Sequence, residues 1–397
     1  MQQWIGGWGY RVTDFSLFPL CVENETQRII VLHNMMAHHI RIKFSNQYGR
    51  TPLPINHATI AKAGEDGDIL PQTSVQLTFN GDLETVLEPG EERYSDEVAF
   101  CTRPKERIAV SLYIKPKTKI TGACSSQSKV LTTVKNAGGG DYCLRDKIDG
   151  YDQHEHFTAF LKEKPLYTCF FGVSQIEFLS DQPVKTVVCF GDSITQQGHW
   201  SEAFSRSLYS HMNGRISILN RGICGNRILH DASIRCFFGG YFGMAGVDRF
   251  EEDVFAAQEA KIDAVIFLEG INDLLQPRLQ VAPAYEFVSA EEIIEGMVRC
   301  ERIAHEHNAR IYIGTILPFK GYMDAWNEED EGIRQKVNEW IRSGKHGFDG
   351  VIDFEMAMKS ETDPSSIKRE LQSGDMLHPN EAGGAVMASQ IPFEFFE

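Results

Sequence analysis

The stretch Val187-Val188-Cys189-Phe190-Gly191-Asp192-Ser193-Ile194 decides how the rest of the chain is read. It begins as an apolar run with β-branched residues, the pattern of a strand buried on both faces. It breaks at Gly191, where a residue without Cβ lets the chain turn sharply. Asp192 and Ser193 follow, and a polar Thr195-Gln196-Gln197-Gly198 segment leads toward a helix. A serine at the C-terminal end of a parallel strand lies where open α/β sheets hold their ligands. Its hydroxyl becomes a nucleophile if a base takes the proton. Gly-Asp-Ser is also ordinary turn chemistry, so the surrounding chain has to decide between the two readings.

Downstream, strand and helix patterns alternate from Ser180 onward. Strands are expected at 184–190, Ile216–Leu219, Ala264–Leu268, Ile311–Ile316 and Val351–Phe354. Helices are expected around 200–212, 248–260, 290–307 and 328–342, with another after Pro379. Ser289 with Glu292 three residues on is a capping box for the third of these. Such alternation predicts a parallel sheet with right-handed crossovers, covered on both faces.

Upstream, the pattern is β-rich. His39–Phe44, Ser74–Phe79, Ile108–Ile114, Tyr167–Val173 and Gln175–Leu179 read as strands, and Asn80-Gly81 is a hairpin signal. Short strands between turn residues predict a β-sandwich. A polar Asp181-Gln182-Pro183 linker divides the chain into an all-β domain, 1–180, and an α/β domain, 181–397.

Charge and composition exclude several function classes. The 397 residues carry a net charge of −16, a poor match to nucleic acid or an anionic membrane surface. No run is long and apolar enough to cross a bilayer. The first residues lack the basic and apolar segments of a signal peptide, so a cytoplasmic location is expected. Nine cysteines at irregular spacing, with no Cys-x-x-Cys, are read as reduced thiols. His154-Glu155-His156 and His305-Glu306-His307 have no cysteine or second histidine at zinc spacing and are read as surface groups. Ala137-Gly138-Gly139-Gly140-Asp141 is read as a loop, because no Walker lysine follows it. Neither a metal nor a cofactor is expected.

Three further polar clusters fall at or just beyond the expected strand ends: Asn220–Asn226, Gly270–Asp273, and Gly374–Pro379 ahead of the last helix. All C-terminal ends of a parallel sheet face one side, so Ser193, Gly225, Asn272, Asp375 and His378 can converge. Acyl transfer needs a nucleophile, a base, a group that orients the base, and donors for an oxyanion. Ser193 supplies the first, His378 the second and Asp375 the third. The Ser193 and Gly225 amides and the Asn272 side chain supply the donors. Asn272 offers two donors and no charge, so it can hold an anion without acting as a base. Taken singly, Gly270–Asp273 also reads as a strand-ending turn, and Asp375-x-x-His378 as a helix cap with a neighbouring histidine.

Gly191-Asp192-Ser193-Ile194, Gly225, Gly270-x-Asn272-Asp273 and Asp375-x-x-His378 together resemble the four signature blocks of the SGNH (GDSL-type) hydrolases. The resemblance covers roughly 184–390. It implies Ser193 as nucleophile, Gly225 and Asn272 in the oxyanion hole, and Asp375 with His378 completing a triad. It also implies a flavodoxin-like three-layer α/β/α domain of strand order 2-1-3-4-5 that needs no metal or organic cofactor. Phe44–Gly49 and Pro52–Ile55 resemble the β-rich, jelly-roll-like domain that precedes this module in a subset of bacterial members. The resemblance therefore implies a serine esterase acting on short acyl, chiefly acetyl, esters of carbohydrates. A lipid esterase or thioesterase on longer chains, or a silent carbohydrate-binding protein, is the alternative. An acylated small molecule or oligosaccharide is the expected partner, and an oligomer is compatible. Thr195 stands where a Gly-x-Ser-x-Gly elbow has its second glycine, which argues against an α/β-hydrolase lipase.

The segment Cys236–Met244 is rich in glycine and aromatic residues. It reads equally as a pocket wall, since sugars and acyl groups pack on rings, and as a loop anchored to the core. Asp192, Asn226, Phe237, Phe238 and Tyr241 are the candidate substrate contacts.

Overall fold

Residues with β-branched or aromatic side chains on alternate positions build the first half of the chain, which has no helix among its described residues before Ser193. The computed structural model describes residues 2–149, 168–233, 239–257 and 259–397. The chain divides into two units, Met1–Val184 with Tyr209–Ser217, and Lys185–Leu208 with Ile218–Glu397.

The Met1–Val184 part of the first unit is all-β among its described residues, and its paired strands are antiparallel. One five-stranded sheet holds Gln3–Gly9, Gly172–Ser180, Ala37–Ser45, Glu92–Tyr94 and Val98–Thr102. The other holds Thr132–Gly138, Glu25–Leu32, Arg107–Ile114, His57–Ala63 and Val75–Gln76. The sheets face each other as a sandwich. Trp8 Nε1 of one donates to Thr132 Oγ1 of the other at 2.8 Å. A Cβ on Gly172 would stand 2.5 Å from Leu112 Cδ2 across the interior, so glycine is required there. The expected strand at 74–79 forms only its Val75–Gln76 part. Beyond it, Phe79 and Asp82 exchange backbone hydrogen bonds of 2.8 and 3.2 Å across Asn80-Gly81, both at positive φ.

Strand Glu25–Leu32 was not expected from the sequence. Seven of its eight residues are buried, including Arg28. The Arg28 guanidinium is spent on Ser111 Oγ and on the carbonyls of Tyr142, Arg145 and Asp146. A charged side chain is tolerated inside only when its donors are all matched.

The second unit is built on a five-stranded sheet. Its strands are β1 (Lys185–Gly191), β2 (Ile216–Gly222), β3 (Ala264–Leu268), β4 (Arg310–Gly314) and β5 (Gly350–Ile352). Their order is β2-β1-β3-β4-β5, and β1/β3, β3/β4 and β4/β5 pair in parallel. This is the 2-1-3-4-5 order that the resemblance implied. The helices are α1 (Ser193–Gln196), α2 (His199–His211), α3 (Gly246–Glu251), α4 (Ile271–Arg278), α5 (Ala290–Glu306), α6 (Glu328–Ser343), α7 (Phe354–Met358) and α8 (Glu381–Ala388).

Core packing follows the sheet. Phe190 of β1 stacks on Phe267 of β3, and Phe250 of α3 meets both rings. Elsewhere Tyr312 of β4 stacks on Phe395, while Phe204 of α2 meets Phe396. The Ser289–Glu292 capping box on α5 is present. The helix expected at 248–260 is interrupted: α3 ends at Glu251 and continues as a π-turn, Glu252–Ala256. Helix α4 was not expected, because Pro277 sits inside it and reads as a breaker. Among the described residues no helix is long and apolar enough to cross a membrane.

Candidate active site

Three blocks of the candidate site lie where strands of the sheet stop, and the fourth, Asp375–His378, lies just ahead of the last helix. At the end of β1, a Cβ on Gly191 would lie 2.1 Å from Leu268 O on β3 and 2.6 Å from Thr195 Oγ1. Only glycine lets β1 turn so close to its neighbour. Asp192 then caps α1, its Oδ1 accepting from Ile194 N at 2.9 Å. Ser193 is thereby delivered as the first residue of α1, nearly buried, with 3 % of its surface exposed. Gly222, at the end of β2, packs against Gln196 so tightly that a Cβ would stand 2.3 Å from its backbone nitrogen.

The base arrives from the other end of the unit. Ser193 Oγ lies 2.8 Å from His378 Nε2, and His378 Nδ1 lies 2.5 Å from Asp375 Oδ2. The second Asp375 oxygen accepts from the backbone amides of Leu377 and His378 at 3.0 and 2.9 Å. One carboxylate therefore folds the turn and also aims the ring. Burial alone would raise the Asp375 carboxyl, but hydrogen bonds from the His378 ring and these amides, with the ring's charge, bring it below its usual range. It stays ionised at neutral pH. Tyr322 presents its ring edge-on to His378, with centroids 5.9 Å apart.

Gly225 and Asn272 come to the same unit by separate routes. Gly225 has φ +68°, and a Cβ there would stand 2.1 Å from the Phe242 ring. Its carbonyl accepts from Gln276 Nε2 on α4. Asn272 lies in the first turn of α4 and donates to Asn226 O at 3.0 Å. A side-chain amide carries two such protons, so one more donor remains for a bound group. Asp273 beside it holds Ile228 N and Leu229 N at 2.8 and 3.1 Å.

The candidate substrate contacts divide. Asn226 spends its Nδ2 protons on the Phe242 and Met244 carbonyls and its Oδ1 on Arg249, which makes it a brace for the Gly225 turn. Asp192 is buried under α1, and Tyr241 is buried against Phe242. Phe237 and Phe238 lie outside the described residues, as do His154-Glu155-His156. His305 is bonded to Glu301 and Asp349, and His307 to Glu251.

The sequence offered no sign of Arg249. Its guanidinium is buried and donates to Gly191 O, Arg221 O, Asn226 Oδ1 and Asp253 Oδ2 at 2.7–2.9 Å. It also lies 3.9 Å over the Phe190 ring and 3.7 Å from Glu269. One side chain thus holds the ends of β1 and β2 and the brace of the Gly225 turn. Four buried carboxyls surround this region. Burial lifts Asp192 to about 7 and Glu269 to about 8, and raises Asp273 as well. Both Glu269 oxygens are without a hydrogen-bond partner among the described residues. Burial, and secondarily the charge of His378, lowers His199 to about 4.

These positions lie within a recognised family pattern. The model of the GDSL-like lipase/acylhydrolase family matches residues 189–386. The α/β unit belongs to that family. No curated protein matches the chain. Among solved structures, the GDSL domain is similar to a GDSL-like lipase from Bacteroides thetaiotaomicron, at 18% identity over 53% of this chain and 89% of that one, TM-score 0.36. It is similar to a G-D-S-L family member from Veillonella parvula, at 21% identity over 52% of this chain and 96% of that one, TM-score 0.37. It is also similar to a catalytic mutant of an acetylxylan esterase from Geobacillus stearothermophilus, at 18% identity over 53% and 94%, TM-score 0.39.

In chemical terms the GDSL domain sets a hydroxyl against an imidazole and the imidazole against a carboxylate, and it carries two further kinds of N–H donor at Gly225 and Asn272. Such a set suits attack on a carbonyl carbon.

Proposed function

We propose that the chain is a serine esterase that removes short acyl groups, chiefly acetyl, from carbohydrates through an acyl-enzyme. The observation that carries this is the unbroken line Ser193 Oγ to His378 Nε2 to Asp375, at 2.8 and 2.5 Å. As Ser193 Oγ attacks the ester carbon, His378 Nε2 takes its proton, and Asp375 holds the imidazolium. The carbonyl oxygen, now negative, is held by the Ser193 and Gly225 amides and Asn272 Nδ2. When the intermediate collapses, His378 returns the proton to the departing sugar oxygen. A water then repeats the cycle against the acyl group and frees Ser193.

The short acyl chain is supported by Phe242, whose ring lies close against the Gly225 backbone. The sugar half rests on the resemblance of Phe44–Gly49 and Pro52–Ile55 to the β-domain of the bacterial subset. The test is hydrolysis of p-nitrophenyl acetate, butyrate and octanoate, followed by a panel of acetylated oligosaccharides. Wild-type protein should prefer acetate and release acetate from at least one oligosaccharide. Ser193→Ala should do neither, and a serine-directed phosphonate should label only the wild type. Equal activity of Ser193→Ala would sink the assignment. A preference for octanoate would move the substrate to lipids.

A further inference from the structure

The Gly139–Asp141 loop, which takes no part in the chemistry above, leads into a second cluster of reactive side chains in the first unit. His57 opens the strand His57–Ala63, and Asp141 and Cys143 lie just after the strand Thr132–Gly138. One donor atom from each of His57, Asp141 and Cys143 lies within 4.8 Å of the other two. His57 Nδ1 is 2.7 Å from Asp141 Oδ2, and Cys143 N donates to Asp141 Oδ1 at 3.0 Å. Cys143 is fully buried; its thiol donates weakly to the His57 carbonyl at 3.8 Å and also hydrogen-bonds Asp141. His57 Nε2 is buried with no hydrogen-bond partner among the described residues.

The backbone around the cluster is already fixed. The Gly139 and Gly140 amides donate to Asn24 O at 2.7 and 3.0 Å, Tyr142 N to Thr26 Oγ1 at 2.9 Å, and Thr59 Oγ1 to Cys143 O at 3.1 Å. Arg28 clamps the carbonyls that follow. The strand and loop frame, together with the bonds of Asp141 to His57 and to the Cys143 amide, holds the three donors in place.

We propose that His57, Asp141 and Cys143 bind one zinc ion that staples the 139–149 loop to the sandwich. The donors are one nitrogen, one oxygen and one sulfur. Zinc accepts this mixture in tetrahedral geometry, with water in the fourth place. Calcium and magnesium require oxygen ligands in greater number. Binding balances simply. The thiol proton of Cys143 leaves to solvent, the His57 Nδ1 proton moves to Nε2 as that ring coordinates, and Asp141 enters as the carboxylate it already is. A coordinated thiol is deprotonated outright. Sequence spacing hides the site. Asp141-x-Cys143 is too short a signature, and His57 is remote along the chain and joined to it only by the sheet.

The experiment uses the full chain, tag-free, stripped with chelator and titrated with zinc or cobalt(II) alone. Wild type should take up one equivalent of zinc in competition with a chromophoric chelator. With cobalt it should show a sulfur-to-metal charge-transfer band and the intense visible absorption of tetrahedral cobalt. Cys143→Ser should abolish the charge-transfer band, and zinc should raise the melting temperature of wild type but not of this variant. Asp141→Asn, at a half-exposed position, covers the case in which Cys143→Ser fails to fold. It should weaken zinc binding at least tenfold with an unchanged far-ultraviolet spectrum. Cys101, which is exposed and 3.4 Å from His38 Nδ1, is the control. Binding that survives Cys143→Ser or Asp141→Asn, or that is lost in Cys101→Ser, overturns the proposal. So does a wild-type cobalt spectrum without a charge-transfer band.

Discussion

Ser193 has one proton to give, and His378 Nε2 is the group placed to take it. The roles around that pair can be separated by substitution. Asn272→Ala removes a donor to the transition state, so kcat should fall by about 10²–10³-fold with a smaller change in KM. A loss confined to KM would assign Asn272 to ground-state binding. Asp375→Asn keeps the size of the side chain but removes the charge that favours the imidazolium, and kcat should fall by about 10⁴-fold. Gly225→Ala should be inactive while folded, since its new methyl would overlap the Phe242 ring. Phe242→Ala relieves that wall and should shift the acyl-length series from acetate toward butyrate. An unchanged preference would show that another residue sets chain length.

Among the secondary-structure elements, Arg249 on α3 does the joining. It bonds to carbonyls at the ends of β1 and β2 and to the Asn226 brace, which no single strand could align alone. Arg249→Leu leaves Asp253 and Glu269 buried beside no cation, and breaking such a pairing costs about 3–5 kcal/mol. Arg249→Lys is the sharper test. Lysine keeps the charge but cannot span several acceptors at once. The variant should fold and bind substrate with near-normal KM, while kcat falls at least tenfold. Full kcat in Arg249→Lys would mean that the arginine supplies charge balance only.

For the whole molecule, the buried carboxyls of the GDSL domain predict how stability varies with pH. The folded-state values of Asp192 and Glu269 lie near 7 and 8, against about 4 for the unfolded chain. Raised carboxyl values make a contribution that is full below about pH 4 and lost as pH rises through the folded values. Asp375 acts in the opposite sense, because its lowered value favours the fold above the unfolded value. Chemical denaturation between pH 5 and 8.5 should therefore show wild-type stability falling as pH rises. Glu269→Gln should flatten that slope, and the difference between the two proteins should grow toward the alkaline end. A constant difference across the range would show that Glu269 does not change its charge there.

Much of this protein was legible in residue order, for a local reason. The parallel sheet follows from apolar runs alternating with helical periods, and a run such as Val187–Phe190 has few other ways to bury both faces; its 2-1-3-4-5 order was implied by the family resemblance alone. The four blocks were legible because strand ends are marked by glycine and polar residues, and a parallel sheet sends all those ends one way. What sequence could not show were contacts whose partners lie far apart along the chain. Strand Glu25–Leu32 went unread, and its buried Arg28 is matched only because the 139–149 loop supplies acceptors. Helix α4 was hidden by Pro277, which reads as a breaker although the folded chain holds it buried inside the helix. Arg249 has no motif, since its partners are carbonyls of other elements. Residue order set where each element could form; the tertiary structure decided which buried charges would be matched, because a match needs two groups brought together from distant parts of the chain.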